Sequence, residues 1–294
     1  MSSSRISALR PLREDDAEAV ATLYAEVFGT TRAPDAEEIR SWLHSTEIEP
    51  GLLRVVEVDG RIAGYGDAVL FGDELVVDVA APDHPDLFLD WTEDEARARD
   101  AASTRANIPA GHPFARVLER RGYRLTRSSY RREAVLDGSP PPPLPDGISL
   151  RTYEPDDQAS VIDAIVETFS GQPGFHGLTE SAFREYYLSG RGFDPTLWLL
   201  ACDGDELAGF ALAFPERGGE KTLGWVQQLG VRAKWRRRGL GMALLRHAFA
   251  RLADRGLHRA GLGVDAENGT GAVALYQAAG MRIVRQYDNW VLEL

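Results

Sequence analysis

Apolar positions in two stretches of the chain follow the same helical rhythm. Val20, Leu23, Tyr24 and Val27 fall three or four residues apart or side by side on one face, as do Val161, Ile165, Val166 and Phe169, the spacing of an amphipathic helix. The second stretch repeats the first at a constant offset. Leu9-Arg10, Asp15-Asp16 and Phe28 reappear 141 positions later as Leu150-Arg151, Asp156-Asp157 and Phe169, so each half opens as strand, acidic turn and helix. Alternating apolar runs flank Asp59-Gly60 with Gly64, and Asp203-Gly204 with Gly209, and predict a β-hairpin at the same place in both halves. Near the two ends, Val117 to Tyr123 parallels Leu275 to Met281 at an offset of 158. Between the repeats, Ser139 to Gly147 is rich in proline, which neither continues a helix nor sits in a central strand and favours extended geometry. The pattern divides the chain into a first domain at 1–135, a linker at 136–147 and a second domain at 148–294.

Bulk properties narrow the possibilities. A length of 294 residues suits two domains, and 44% apolar with 27% charged residues is a globular composition, sufficient for a core in each half. No run of 18 apolar residues is present, and Met1 to Arg10 lacks the apolar segment of a signal peptide, so the expectation is a cytoplasmic protein without membrane association. Cys202 is the single cysteine and the six histidines show no paired ligand spacing, so no disulfide and no metal site are expected. A net charge of −12 argues against nucleic-acid binding and is compatible with a cationic substrate.

The chemistry concentrates in the second half. Leu223 to Val231 reads as a strand, Arg232 to Gly241 as a basic loop containing Gly239 and Gly241, and Leu244, Leu245, Ala248, Phe249 and Leu252 as the apolar face of a following helix that stops at Gly256. Unpaired N–H groups at a helix entry sit at the positive end of its dipole, and glycines let an anion approach closely. The arrangement is that of a phosphate site. Arg236, Gly239 and Gly241 match the pyrophosphate loop of the GCN5-related N-acetyltransferases, which reads Arg or Gln, two residues, Gly, one residue, Gly or Ala. The second half resembles that family over nearly its whole length.

The resemblance implies acetyl-CoA as co-substrate, held by Leu229, Gly230 and Val231 along the pantetheine arm and by Arg236, Arg237, Arg238, Gly239, Leu240, Gly241 and Met242 around the pyrophosphate. Downstream, Ala260 to Val264 forms a short strand before Asp265 to Gly271 and a helix through Leu275-Tyr276 to Gly280. This is similar to the family's closing motif, with Asn268, Thr270 and Gly271 at the cofactor and Tyr276 as the acid that meets the departing thiolate. The spacer from Asn268 to Tyr276 resembles that of tandem acetyltransferases related to mycothiol synthase. Family members often carry Glu or His where this chain has Trp225 and Gln227; these two are expected to face the substrate, and neither is a base at neutral pH. Glu220, Asp265 and Glu267 are the carboxylates from which a water chain could start.

At the equivalent place the first half has Ala80-Ala81-Pro82-Asp83-His84-Pro85-Asp86, without glycine and with two prolines that remove N–H donors, and Leu118 stands where Tyr276 does. The expected architecture is therefore α+β: two tandem domains of this family type, each a mixed, mostly antiparallel sheet flanked by helices, the first degenerate and the second catalytic. The expected activity is direct acetyl transfer from acetyl-CoA to a primary amine of a small molecule. The alternative is a non-catalytic acyl-CoA-binding or ligand-sequestering protein.

Overall fold

The computed structural model describes residues 6–29, 33–45, 49–172, 175, 177–189, 192–215, 220, 222–267 and 271–294. The first half runs β1 (Arg10–Pro11), α1 (Ala17–Phe28), α2 (Ala36–Trp42), β2 (Leu53–Val58), β3 (Arg61–Phe71), β4 (Glu74–Ala80), α3 (Pro85–Ala98), β5 (Ser103–Pro109), α4 (Phe114–Arg120) and β6 (Arg124–Val135). The second runs β7 (Ile148–Thr152), α5 (Gln158–Phe169), α6 (Glu180–Phe183), β8 (Trp198–Asp203), β9 (Glu206–Phe214), β10 (Leu223–Val231), α7 (Leu240–Asp254), β11 (Arg259–Asp265), α8 (Ala272–Ala278) and β12 (Arg282–Glu293). One order of elements is thus used twice.

The repeat extends to individual atoms. Arg10 grips Asp16 with two nitrogens at 2.7 and 2.8 Å, and Arg151 grips Asp157 at 2.6 and 2.6 Å. Each aspartate also accepts the backbone N–H three residues earlier, from Arg13 and from Glu154, at 2.8 Å in both cases. The guanidinium holds each carboxyl below its ordinary pKa. The terminal helices close alike. Gly122 and Gly280 take left-handed φ of 91° and 80°, and the next N–H turns back, Tyr123 to the Leu118 carbonyl at 3.0 Å and Met281 to the Tyr276 carbonyl at 2.9 Å.

The compact units do not coincide with the sequence halves. The first comprises Met1–Ser129 with Arg285–Leu294, the second Tyr130–Val284. The change of unit falls inside β6 and β12 rather than in the proline-rich run, because strand pairing decides membership: Tyr287 to Glu293 pair antiparallel with Pro109 to Ser103 of β5. Residues 136–147 stay with the second unit as extended chain, where a His247 ring nitrogen lies 3.2 Å from the Pro142 carbonyl.

In the first unit β1 to β4 form an antiparallel run, β4 pairs parallel with β5, and β12 follows β5. One face packs α1 and α2 through Val20, Tyr24, Ile39 and Tyr65. The other packs α3 and α4 through Phe88, Leu89, Phe114 and Leu118. In the second unit the order is β7-β8-β9-β10-β11-β6. Trp198, Phe183, Ile165, Phe210 and Leu212 fill the α5/α6 face, while Leu244, Leu245, Phe249, Leu262 and Tyr276 fill the α7/α8 face. A π-helical turn, Arg184–Leu188, continues from α6. No helix among the described residues is long and apolar enough to cross a membrane.

Candidate functional site

The site begins where two strands part. β10 pairs antiparallel with β9 up to Val231 opposite Gly209, but pairs parallel with β11 only at Leu223, Gly224 and Trp225, opposite Arg259, Ala260 and Gly261. From Val226 to Val231 the β11-side edge of β10 has no partner in the β11 ladder, and so offers backbone donors and acceptors to an extended ligand. Leu229, Gly230 and Val231, assigned from sequence to a pantetheine arm, occupy that stretch. Gly230 is also a packing requirement, since a Cβ there would lie 2.4 Å from the Phe210 ring.

The basic loop leaves the end of this edge and is fixed by its one apolar residue. Trp235 is fully buried against the α7/α8 core, and its indole donates to Asp203 Oδ2 at 2.9 Å. Glu167 receives Arg232 Nε at 2.6 Å and the Ala233 N–H at 3.0 Å, while Lys234 reaches Glu206 at 2.6 Å. With its base pinned, the loop exposes Arg236, Arg237 and Arg238. Arg236 Nε donates to the Val231 carbonyl at 2.9 Å and Arg238 to the Asp146 carbonyl at 3.2 Å. Both turn to neutral carbonyl acceptors, and neither forms an ion pair with a described residue. Arg237 and Gly239 adopt left-handed φ of 64° and 83°, and α7 begins at Leu240. Its first backbone bond is made by Ala243 to the Gly239 carbonyl, so the N–H groups of Leu240, Gly241 and Met242 precede the ladder and remain for an anion. Leu240 offers only its backbone, because its side chain is buried in the core.

The two glycines of this loop have different duties. A Cβ on Gly239 would meet nothing within 4 Å, and what matters there is the left-handed turn. A Cβ on Gly241 would stand 3.0 Å from Leu275 Cδ1 and 3.6 Å from Val231 Cγ2. Gly241 therefore lets α7 close against α8 and the end of β10.

That contact brings α8 to the open edge, and α8 carries Tyr276. The ring is 8% exposed, burial pushes the phenol up to about 12 with the nearby Arg132 guanidinium pulling the other way, and the hydroxyl has no hydrogen-bond partner among the described residues. A phenol so placed stays protonated throughout the neutral range. Gly271 starts α8 at a φ of 83°; Asn268 and Thr270 lie outside the described residues. Arg132, missed in the sequence because β6 belongs to the first half, is buried with no carboxylate partner among the described residues, and its Nε is unbonded.

On the α5/α6 face, the residues expected from sequence to face the substrate are arranged by a bulge. The β10/β9 register slips between Val226 and Gln228, leaving Gln227 as an extra, exposed residue. Gln228, not distinguished in the sequence, then faces the π-helical turn after α6 and donates to the Tyr187 hydroxyl at 2.8 Å. Trp225 lies across Gly261, where a Cβ would come within 2.9 Å of its ring, and the Arg131 guanidinium sits 5.6 Å above it. Of the three carboxylates offered as bases, Glu220 is taken by Arg131 at 2.5 Å and Arg259 at 3.0 Å. Asp265 accepts the Glu267 N–H at 2.9 Å in a local turn, and Glu267 is exposed. No group of three or more metal-ligating side chains occurs among the described residues.

The corresponding parts of the first unit differ. α3 starts with Pro85 after a His84 that makes no cap bond, and Leu118 is wholly buried in the core.

Comparison with known proteins agrees with this geometry. Residues 161–281 match the sequence profile described as the Acetyltransferase (GNAT) family. A mycothiol acetyltransferase from Paenarthrobacter aurescens is 35% identical over 172 residues, 56% of this chain, so that the chain spans about half (53%) of that relative's length. One from Salinispora arenicola is 35% identical over 247 residues, 78% of this chain and 77% of the relative. The crystal structure of a GCN5-related N-acetyltransferase from Sphaerobacter thermophilus superposes with a TM-score of 0.78 at 31% identity, covering 98% of this chain and 95% of that one. With these relatives along most of its length and the pyrophosphate-type helix entry in place, the chain belongs to the GCN5-related N-acetyltransferase family.

Proposed function

We propose that the second unit transfers the acetyl group of acetyl-CoA directly to a primary amine of a small molecule. The observation that carries this reading is the continuity of three parts: the β10 edge left open after Trp225, the exposed arginines at the α7 entry, and a protonated Tyr276 on the helix that Gly241 lets close against that edge. The edge suits the pantetheine arm and the α7 entry the pyrophosphate. Holding both fixes the thioester near the acceptor face, and positioning with carbonyl polarisation supplies most of the rate. Tyr276 presents its O–H to the sulfur as the thioester breaks. The amine attacks from the side of Trp225, Gln227 and Gln228. The curated relatives are named for mycothiol, which supports a small-molecule acceptor; the first unit, with Pro85 and Leu118 at the decisive positions, is read as non-catalytic.

The test is thiol release from acetyl-CoA with a panel of primary amines, alongside calorimetric titration of acetyl-CoA. Turnover with one cofactor site per chain is expected. Tight acetyl-CoA binding without thiol release for any amine would instead favour an acyl-CoA-binding protein, the reading that the missing base at Trp225 and Gln227 favours.

A further inference from the structure

The apolar core of the second unit holds one cation that forms no ion pair with a described residue. Tyr130 and Ala134 of β6 both pack on the α7/α8 core, and strand alternation puts Arg132, midway between them, on the same face. Arg132 is 6% exposed. Its guanidinium lies 6.0 Å from the Tyr130 ring, and its Nη1 meets the Met281 carbonyl at 3.5 Å, the outer limit of a hydrogen bond. Its Nε has no partner among the described residues.

Burying a cation with so little compensation costs stability, and the internal repeat shows that the fold does not require it. The offset of 158 that carries Leu118 onto Tyr276 also carries Arg132 onto Trp290 of β12. Trp290 packs on the α3/α4 core, which contains Leu118. The first unit thus sets an indole on the face that holds an aliphatic side chain, and the second sets a guanidinium on the face that holds a phenol. The two exchanges belong together in space as well as in sequence. Arg132 is close enough to Tyr276 to oppose the rise in pKa that burial imposes on the phenol. Met281 links them through the backbone: its N–H returns to the Tyr276 carbonyl at 2.9 Å, and its own carbonyl meets Arg132.

We propose that Arg132 is a positioning residue for acetyl transfer, acting through Tyr276 by holding a positive charge beside its phenolic oxygen. The proposal rests on the acetyltransferase reading of the second unit. In that reaction the amine nitrogen bonds to the acetyl carbon, the C–S bond gives its electron pair to sulfur, and the proton released by the amine passes to water. The Tyr276 O–H donates to the sulfur as charge builds there, and part of the negative charge moves onto the phenolic oxygen. A fixed cation beside that oxygen, in a site poor in water, stabilises the shift and makes the phenol a stronger donor. Nothing in the first unit calls for such a charge, since Leu118 donates nothing.

The experiment is a double-mutant cycle on the full chain, following thiol release from acetyl-CoA with ethylamine, 2-aminoethanol and 1,4-diaminobutane and using the fastest of them. Arg132→Met keeps the length of the side chain and removes its charge; it should lower kcat about tenfold with unchanged acetyl-CoA affinity and no fall in melting temperature. Arg132→Gln is the second neutral variant, for use if methionine does not fold there. Arg132→Lys should recover most of kcat. Added to Tyr276→Phe, Arg132→Met should cost less than about twofold, because the group it acts through is gone. A merely structural arginine would lower kcat by the same factor in both backgrounds, and that result overturns the proposal, as does wild-type kcat in Arg132→Met or a lysine variant no faster than the methionine one. A slow Tyr276→Phe beside an unimpaired Arg132→Met sinks this proposal alone, whereas wild-type kcat in Tyr276→Phe, or no turnover with any of the amines, sinks it together with the reading on which it rests.

Discussion

The Trp235 indole donates its N–H to Asp203 across 2.9 Å, and this bond ties the phosphate-type loop to the β8/β9 hairpin turn. Lys234 lies over the same ring at 4.5 Å. The loop that must expose three arginines is therefore anchored by its least soluble residue, and its shape depends on a residue 32 positions earlier that touches no ligand in the proposed reaction.

Asp203→Ala leaves a buried indole donor unpaired, at a cost of about 1–3 kcal/mol. The expected outcome is a melting temperature several degrees lower and a weaker affinity for acetyl-CoA. Trp235→Phe removes donor and need together and should cost less at the bond itself. Thermal unfolding and acetyl-CoA titration on both variants check the order; equal affinity to wild type in Asp203→Ala would show that the anchor does not shape the loop.

Gly239 and Gly241 are expected to fail in different ways. Alanine at Gly239 has space but must hold a left-handed φ, a penalty of about 1–2 kcal/mol, so Gly239→Ala should raise the Kd for acetyl-CoA while retaining kcat at saturation. Valine at Gly241 meets Leu275 and Val231, an overpacking of about 1–3 kcal/mol. It shifts the helix that carries Tyr276, so Gly241→Val should lower Tm and kcat as well as affinity. Steady-state kinetics at saturating acetyl-CoA separates the two.

The repeat was legible because the residues that define it act locally: Arg151 and Asp157 meet within one turn, and Gly280 closes its own helix. The Arg236 to Gly241 loop was legible for the same reason, since a helix entry is built from consecutive residues. What escaped the reading depends on partners distant in sequence. The bulge at Gln227 exists only against β9, so the role of Gln228 beside Tyr187 could not be read from β10 alone. The exchange of strand segments at Ser129 and Arg285 follows from which neighbour each strand finds, and a strand's alternation does not name its neighbour. Gly241, expected to give clearance for a phosphate, instead makes room for Leu275 and Val231.

Acid should remove a small, specific part of the stability. Asp16 and Asp157 have pKa values lowered chiefly by their arginine partners. A carboxyl whose folded pKa lies below its unfolded value favours the folded state above the ordinary carboxylate range, and loses that contribution as pH falls through the folded value. Arg151 is 46% exposed, so water screens the second pair and its share should stay under about 1 kcal/mol. Asp157→Asn should lower Tm slightly at pH 7 and reduce the further fall in Tm below pH 4. An acid limb as steep as that of the wild type would show that other carboxyls dominate it.

The phenol of Tyr276 stands at about 12, above the ordinary thiol near 8.5. A complete proton transfer from Tyr276 to a free thiolate would therefore run uphill, and in the proposed reaction its contribution is made while charge is still developing on sulfur, through the hydrogen bond it donates. Removing that donor while keeping the ring should slow the chemical step by roughly 100-fold and barely change acetyl-CoA affinity, since the proposed binding rests on the β10 edge and the α7 entry. Residual turnover is expected because a thiolate leaves unassisted. Leu118→Ala supplies the contrast: it opens a cavity in the first unit worth about 2–5 kcal/mol at the position equivalent to Tyr276, and should lower Tm without changing kcat per folded molecule. The measurement is kcat under chemistry-limited conditions with acetyl-CoA titration for Tyr276→Phe and Leu118→Ala. Wild-type kcat in Tyr276→Phe would reduce the tyrosine to a packing residue of α8.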